Sequence, residues 1–121
     1  MGVRRAFPIV TTHDLTRLVA FYRAAFDARQ TYAFPDDGGD VLYVTLAIGY
    51  SELGVGFEEG PARGHAGASL WLYVDDVDES YRRALSAGAE SVRGPAAMPW
   101  GERVAQVRDP DGLEINLGQE P

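Results

Sequence analysis

The chain contains no cysteine among its 121 residues. Disulfide bonds, thiolate metal sites and cysteine nucleophiles are therefore excluded. Long apolar runs are also missing, since none reaches the roughly 18 residues that a membrane helix needs. The opening segment MGVRRAFPIVTT carries two arginines but lacks the apolar stretch of a signal peptide. We therefore expect a cytoplasmic protein with no membrane partner.

Basic residues are scarce, with 11 lysines and arginines against 18 acidic residues and a formal net charge of −7. An acidic surface repels phosphate backbones, so we expect no nucleic-acid partner. The same charge favours cationic small molecules. The alternative is that the charge serves only solubility, as it does in many small domains.

Sequence motifs of nucleophilic catalysis are absent. There is no Gly-x-Ser-x-Gly sequence and no serine–histidine pair in an orienting context. The glycines of GPARGHAG (60–67) lack the strand–turn–helix setting of a nucleotide-binding loop. Neither an activated nucleophile nor a bound nucleotide is therefore predicted.

The chain does contain enough apolar residues for a core, at 45% of its composition. Asp14 is a good N-cap residue, and it is followed by apolar residues at helical spacing. Asp75-Asp76 begins a second helix of the same kind. The inner faces of the two helices are predicted to be Leu15, Leu18, Val19, Tyr22 and Phe26 in the first, and Val77, Tyr81, Ala84, Leu85 and Gly88 in the second.

Strand-like segments surround each helix in the same order. The first half contains strands at 6–12, 29–34, 41–50 and 51–57, and the second half at 69–74, 89–95, 102–108 and 113–118. About 62 positions separate Asp14 from Asp76, so the chain repeats one β-α-β-β-β unit. We predict an α+β protein of one domain, 1–121, with modules at about 6–58 and 69–118. A linker rich in Gly, Pro and Ala joins them at 59–68.

Two stretches carry a resemblance to a known family. HDLTRLVAFY (13–22) and PWGERVAQVRDPDGLEINL (99–117) resemble the vicinal-oxygen-chelate superfamily, which includes glyoxalases, extradiol dioxygenases and bleomycin resistance proteins. With the tryptophan in SLWLYV (69–74), the chain is most similar to the bleomycin resistance proteins. The resemblance implies two modules forming curved mixed sheets, and a homodimer with ligand grooves at its interface.

The resemblance also implies where a metal would be held, at one position on the first and last strand of each module. Those positions are Pro8, Gly54, Ser69 and Asn116 here, and they are poor ligands or none. The two histidines, His13 and His65, fall at a helix entry and in the linker. A placement slipped by two residues offers Glu52 and Glu114 instead, which would hold a hard cation only weakly. We therefore predict no metal and no cofactor.

The groove candidates are the two tryptophans and their neighbours. Strand alternation in SLWLYV puts Ser69, Trp71 and Tyr73 on one face, away from the leucines that pack on a helix. Trp100 lies in a loop flanked by proline and glycine, and the matching tryptophan of bleomycin resistance proteins lines the drug groove. Aromatic side chains facing a groove are a stacking platform for flat ligands. Core filling or dimer packing is the alternative. The predicted ligand-binding residues are Ser69, Trp71, Tyr73, Trp100, Glu52, Glu114 and Asn116.

These features favour a binding protein over an enzyme. We expect metal-independent sequestration of a planar, cationic antibiotic or metabolite, with no catalytic residue. The alternative is a metal-dependent glyoxalase-like lyase or isomerase, or a dioxygenase. A third possibility is a scaffold without a small ligand, which predicts that Trp71 and Trp100 are buried.

Overall fold

The computed structural model describes residues 2, 4–35, 37–60 and 67–121. Two helices and eight strands alternate along it. The helices are α1, Leu15–Phe26, and α2, Val77–Ser86. The strands are β1 Ile9–Thr12, β2 Arg29–Pro35, β3 Val41–Ile48, β4 Ser51–Phe57, β5 Ser69–Tyr73, β6 Glu90–Ala97, β7 Arg103–Arg108 and β8 Glu114–Gln119.

The strands form two four-stranded sheets of the same topology. The order is β1-β4-β3-β2 in sheet A and β5-β8-β7-β6 in sheet B. The first strand of each module pairs in parallel with the last, β1 with β4 and β5 with β8, and the other pairs are antiparallel. The predicted α+β class and the two β-α-β-β-β modules with mixed sheets are confirmed.

Both helices begin at the predicted aspartates. The carboxylate of Asp14 accepts the backbone N–H of Arg17, and that of Asp76 accepts the backbone N–H of Glu79. Each bond satisfies one of the donors that a helix start leaves unpaired. The apolar side chains of α1 then fall on one side, where Leu18, Val19, Phe21, Tyr22 and Ala25 are buried, whereas the predicted Leu15 and Phe26 are only partly buried. In α2 the predicted Val77 and Ala84 are buried, but the helix ends at Ser86, so the predicted Gly88 lies beyond it.

Several strand boundaries differ from the prediction, most of them by one residue, and the strand predicted at 41–50 ends at Ile48. The first strand begins at Ile9 rather than at residue 6. The strand predicted to end at 95 continues to Ala97, because Ala96 pairs with Val104 across the hairpin after a register shift. Gly94 and Pro95 fall within that irregularity, where a residue without a backbone N–H is tolerated. Residues 61–66 of the predicted linker, with His65, lie outside the described residues.

The two modules meet through their helices. α1 packs on α2, and buried residues of both modules form one hydrophobic cluster. A buried hydrogen bond crosses this contact, since the Tyr22 hydroxyl donates to Asp109 Oδ2 at 2.8 Å. Asp109 also accepts the backbone N–H groups of Asp111 and Leu113, so it closes the turn between β7 and β8. One carboxylate therefore holds a turn of the second module against a helix of the first.

Each sheet has one covered face and one open face. The face toward the helices carries Val10, Val44 and Val55 in sheet A, which are buried and lie in one register row. The opposite face of sheet A carries Ile9, Tyr32 and Phe34, of which the side chains are 59%, 52% and 54% exposed. No strand of sheet A pairs with sheet B among the described residues. Within one chain, both open faces therefore present large apolar side chains to solvent.

Candidate ligand-binding site

Strand β5 sorts its side chains as the alternation predicted. Leu70 and Leu72 pack against the core, whereas Ser69, Trp71 and Tyr73 lie on the open face of sheet B. Trp71 and Tyr73 are 44% and 57% exposed, and their ring centroids lie 5.8 Å apart at an interplanar angle of 60°. The pair forms an exposed aromatic surface rather than part of the core.

A glycine on the neighbouring strand makes room for the Trp71 indole. Gly118 of β8 pairs in register with Tyr73, and a Cβ atom built there would lie 2.9 Å from Trp71 Nε1. Real Cβ atoms essentially never approach so closely, so any other residue would displace the ring. The indole therefore lies against the backbone of β8, which fixes the orientation of the platform.

Two side-chain amides lie next to Trp71 on the open face of sheet B. Asn116 is in register with Trp71 on one side and with Gln106 on the other. Gln106 Nε2 donates to Asn116 Oδ1 at 2.6 Å, and Asn116 Nδ2 donates to the Leu70 carbonyl at 3.1 Å. Asn116 is buried and its amide is held by both atoms, whereas Gln106 is half-buried and its side-chain oxygen takes no part in this pair. The accessible polar group of this row is therefore on Gln106 rather than on Asn116.

Charged side chains occupy one end of the same face. Glu114 pairs in register with Ser69 and with Arg108. Arg108 Nη1 lies 3.5 Å from Glu90 Oε1, a weak and largely exposed ion pair. Ser69 and Glu114 therefore lie together, next to a row of alternating charges.

Trp100 extends from the loop between β6 and β7. The loop is closed by hydrogen bonds from Met98 N to the Glu102 carbonyl, at 2.8 Å, and from Gly101 N to the Met98 carbonyl, at 3.0 Å. Gly101 adopts φ 101°, a left-handed value that a side chain would strain. Trp100 is 60% exposed, and its Nε1 donates to Glu102 Oε1 at 2.6 Å.

Glu102 links Trp100 to the aromatic pair. The neighbouring Glu102 carboxylate is the leading cause that raises the pKa of the Tyr73 hydroxyl, burial is the next, and the charge of Glu120 adds to them. Glu102 was not among the predicted site residues. The sequence contained a usable signal, because Glu102 is two residues from Trp100 and two before Val104, which lies on the open face.

Glu52 lies apart from this group. It belongs to β4 of sheet A, and Arg5 Nη2 approaches its Oε1 to 2.9 Å. The structure therefore brings together five predicted residues on one face of sheet B, with Trp100 at its edge, and places Glu52 on the other sheet. The five are Ser69, Trp71, Tyr73, Glu114 and Asn116.

The residues at the metal positions of the family do not fit a divalent cation. A Cβ atom at Gly54 would lie 2.5 Å from the Tyr43 hydroxyl, so a ligating side chain has no room there. The amide of Asn116 is already committed to hydrogen bonds. Among the residues that the structure describes, no three His, Cys, Asp or Glu side chains group together as metal ligands.

The paired sheets, each with one helix-covered and one open face, agree with the sequence comparison. The chain belongs to the Glyoxalase/Bleomycin resistance protein/Dioxygenase superfamily, whose family model matches residues 6–117. A protein of Mycobacterium tuberculosis strain H37Rv, Rv0887c, is 31% identical over 122 residues, which cover 93% of this chain and 72% of that protein. The Mycobacterium bovis protein Mb0911c is also 31% identical, over 93% of this chain and 80% of its own length.

Solved structures share the whole fold. TioX from Micromonospora sp. ML1 superposes with a TM-score of 0.76 at 26% identity, over 97% of this chain and 96% of that one. A superfamily member from Sphaerobacter thermophilus gives 0.76 at 23% identity, with 98% of each chain covered. In the described part of this chain, no helix is long and apolar enough to cross a membrane.

Proposed function

We propose that the protein is a metal-independent small-molecule binding protein of the bleomycin-resistance kind, which sequesters a planar, cationic antibiotic or metabolite. The observation that supports this most strongly is the exposed Trp71–Tyr73 pair, held over Gly118 on an open sheet face. Sequestration requires affinity but no chemistry on the ligand. We place its action in the cytoplasm, where a captured drug would be kept from its target.

Stacking supplies the binding energy in this proposal. Trp71 offers a flat indole face whose orientation is set by the β8 backbone beneath it, so little side-chain entropy is lost when a ligand stacks. Indole faces attract cations as well as flat apolar groups. Beside the ring, Gln106 supplies an amide oxygen to which a ligand N–H group would donate. The net charge of −7 attracts cations from a distance and disfavours nucleic acid.

A second copy of the chain completes the groove. In a single chain, each open face can form only one side of a groove, because the helices pack between the two sheets. The apolar surface on sheet A, formed by Ile9, Tyr32 and Phe34, would face Trp71 and Tyr73 of another protomer across a twofold axis. Aromatic enrichment is typical of protein interfaces and of ligand grooves between subunits. We therefore propose a homodimer with two equivalent grooves.

Catalysis finds less support on this surface. Asn116 and Gln106 are neutral and bonded to one another, and Glu52 is paired with Arg5. The exposure of Trp71 and Trp100 also disagrees with a scaffold that buries both rings. Ligand capture is therefore the function that this geometry favours.

The test is intrinsic tryptophan fluorescence during titration with a bleomycin-type drug and a panel of flat cations. The protein is first stripped of metal with a chelator, and the titration is repeated with divalent metal. We expect saturable quenching in the stripped protein, and about a fivefold or greater loss of affinity in Trp71→Ala, since stacking contributes about 1–3 kcal/mol per ring.

Tyr50→Ala is the matched control, because Tyr50 is a fully exposed ring in the turn between β3 and β4. It should bind as the unmodified protein does. Binding that requires added metal would overturn sequestration and favour a metal-dependent glyoxalase-like enzyme or dioxygenase. Equal affinities in Trp71→Ala and Tyr50→Ala would place the ligand elsewhere.

A further inference from the structure

One corner of the open face of sheet B combines a carboxylate with three aromatic rings. Glu102 lies immediately before β7, on the side of Val104, which is in register with Gly118 and through it with Tyr73. Trp100 bonds to Glu102 Oε1 at 2.6 Å, and Trp71 stands 5.8 Å from Tyr73. The carboxylate therefore lies at the edge of the stacking platform rather than out in solvent.

We propose that Glu102 is the residue by which this site recognises charge, pairing with a protonated N–H group at the edge of a planar ligand stacked on Trp71. The ligand class is therefore a flat aromatic system that carries a protonated amine or amidinium on its rim. This inference rests on the proposed function, because it assumes that ligands stack on Trp71.

The carboxylate is oriented and still has bonding capacity. A carboxylate offers about four lone-pair sites, and the Trp100 indole N–H uses one on Oε1. That bond holds the side chain in one direction before any ligand arrives, so less entropy is lost on binding. A bond between a charged donor and a charged acceptor is stronger than a neutral one.

In the described part of the chain, no cation pairs with this carboxylate. Among the described residues, Glu102 forms no ion pair, and the adjacent Arg103 points to the other face, where it bonds to Asp78 at 2.7 and 2.9 Å. Glu120 adds a second negative charge near Tyr73. A half-buried carboxylate is less solvated than a fully exposed one, so a cationic ligand would gain more there than at an exposed carboxylate.

Three probes of equal ring size separate the contributions of stacking, positive charge and N–H donation to binding. 9-Aminoacridine carries a positive charge with N–H donors, N-methylacridinium carries the charge without a donor, and acridine is neutral at pH 7.5. Binding to the full chain is measured by calorimetry. In the unmodified protein we expect affinity to fall in the order aminoacridine, methylacridinium, acridine. The affinities of the first and the last probe should differ about tenfold or more, because hydrogen bonds to charged groups contribute about 1.5–3 kcal/mol. This ratio is called the span below.

Glu102→Gln is the matching variant, since glutamine keeps the side-chain shape and an oxygen for the Trp100 indole. We expect it to reduce the span at least fivefold, because the two cationic probes bind more weakly while acridine binds as before. Glu79→Gln makes the same change in net charge on an exposed position of α2 and should leave the order intact.

The outcomes separate this inference from the proposed function. Equal affinities for the three probes, or an unchanged span in Glu102→Gln, would overturn the role of Glu102 while leaving stacking on Trp71 in place. A span reduced equally by Glu79→Gln would also overturn it, because the preference would then come from net charge. Failure of all three probes to bind would overturn both proposals.

Discussion

Removing one hydroxyl from Tyr22 tests how the two modules are held together. Tyr22→Phe keeps the buried ring and deletes only the bond to Asp109 Oδ2, which measures 2.8 Å. Asp109 is 4% exposed, so water does not replace the lost donor. A hydrogen bond to a charged group contributes about 1.5–3 kcal/mol, and we expect a loss of about 2 kcal/mol in the free energy of unfolding.

The same loss appears as a shift in melting temperature. Unfolding entropy averages about 2.1 cal/mol/K per residue near 60 °C, which gives about 0.25 kcal/mol/K for a chain of 121 residues. A loss of about 2 kcal/mol therefore lowers Tm by about 8 °C. Thermal and urea unfolding followed by circular dichroism measure both quantities, at one fixed protein concentration because a dimer would make Tm concentration-dependent.

Tyr81→Phe is the matched control. Its hydroxyl lies 2.7 Å from Ser91 Oγ, in an exposed pair that water replaces readily. We expect it to change the free energy of unfolding by less than about 0.5 kcal/mol. If Tyr22→Phe costs no more than Tyr81→Phe, the buried bond does not stabilise the contact between the modules.

Alkaline pH gives a second readout of the same bond. Burial, and then the charge of Asp109, raises the pKa of Tyr22 well above its ordinary value. The unfolded chain ionises this hydroxyl near pH 10, whereas the folded chain keeps it neutral. The Tyr22 contribution is therefore complete below about pH 10 and is lost as the pH rises toward the folded pKa. The difference in stability between the unmodified protein and Tyr22→Phe should narrow above about pH 10.

Two further substitutions test the groove. Gly118→Ala places a methyl group 2.9 Å from the Trp71 indole, so we expect the exposed ring to move away from β8. The fluorescence emission maximum should shift and flat cations should quench less, at little cost in Tm. An unchanged emission spectrum would contradict the packing of Trp71 against Gly118. Phe34→Asp adds a charge to the open face of sheet A, and we expect light scattering to show a monomer in place of a dimer, whereas an unchanged mass would remove this face from the interface.

Several features followed from the sequence because short-range geometry controls them. An N-cap and a period of 3.6 residues involve neighbours within one or two turns, so Asp14, Asp76 and the buried Leu18, Val19 and Tyr22 of α1 were predicted correctly. The burial of Phe21 and Ala25 was not predicted. The period of two similarly predicted which side chains of β5 are exposed. The repeated order of elements, together with the family resemblance, then predicted the α+β fold with its two mixed sheets.

Other features depended on which strands become neighbours. Glu102 comes near Tyr73 only because β8 lies between β5 and β7 in sheet B. Asn116 is held by Gln106, and Glu52 by Arg5, through pairings that no local pattern specifies. The packing of Trp71 against Gly118 likewise depends on the pairing of β5 with β8.

The physical distinction is one of range. Local backbone geometry restricts what each segment forms, and the sequence states it directly through residue type and spacing. Contacts between segments far apart in the chain depend on the lowest free energy of the whole packed structure, in which sheet register and side-chain volume are chosen together. The sequence by itself therefore determined the elements, their faces and the family. Only the tertiary structure decided which groups meet at the groove, and with them the carboxylate beside the stacking platform.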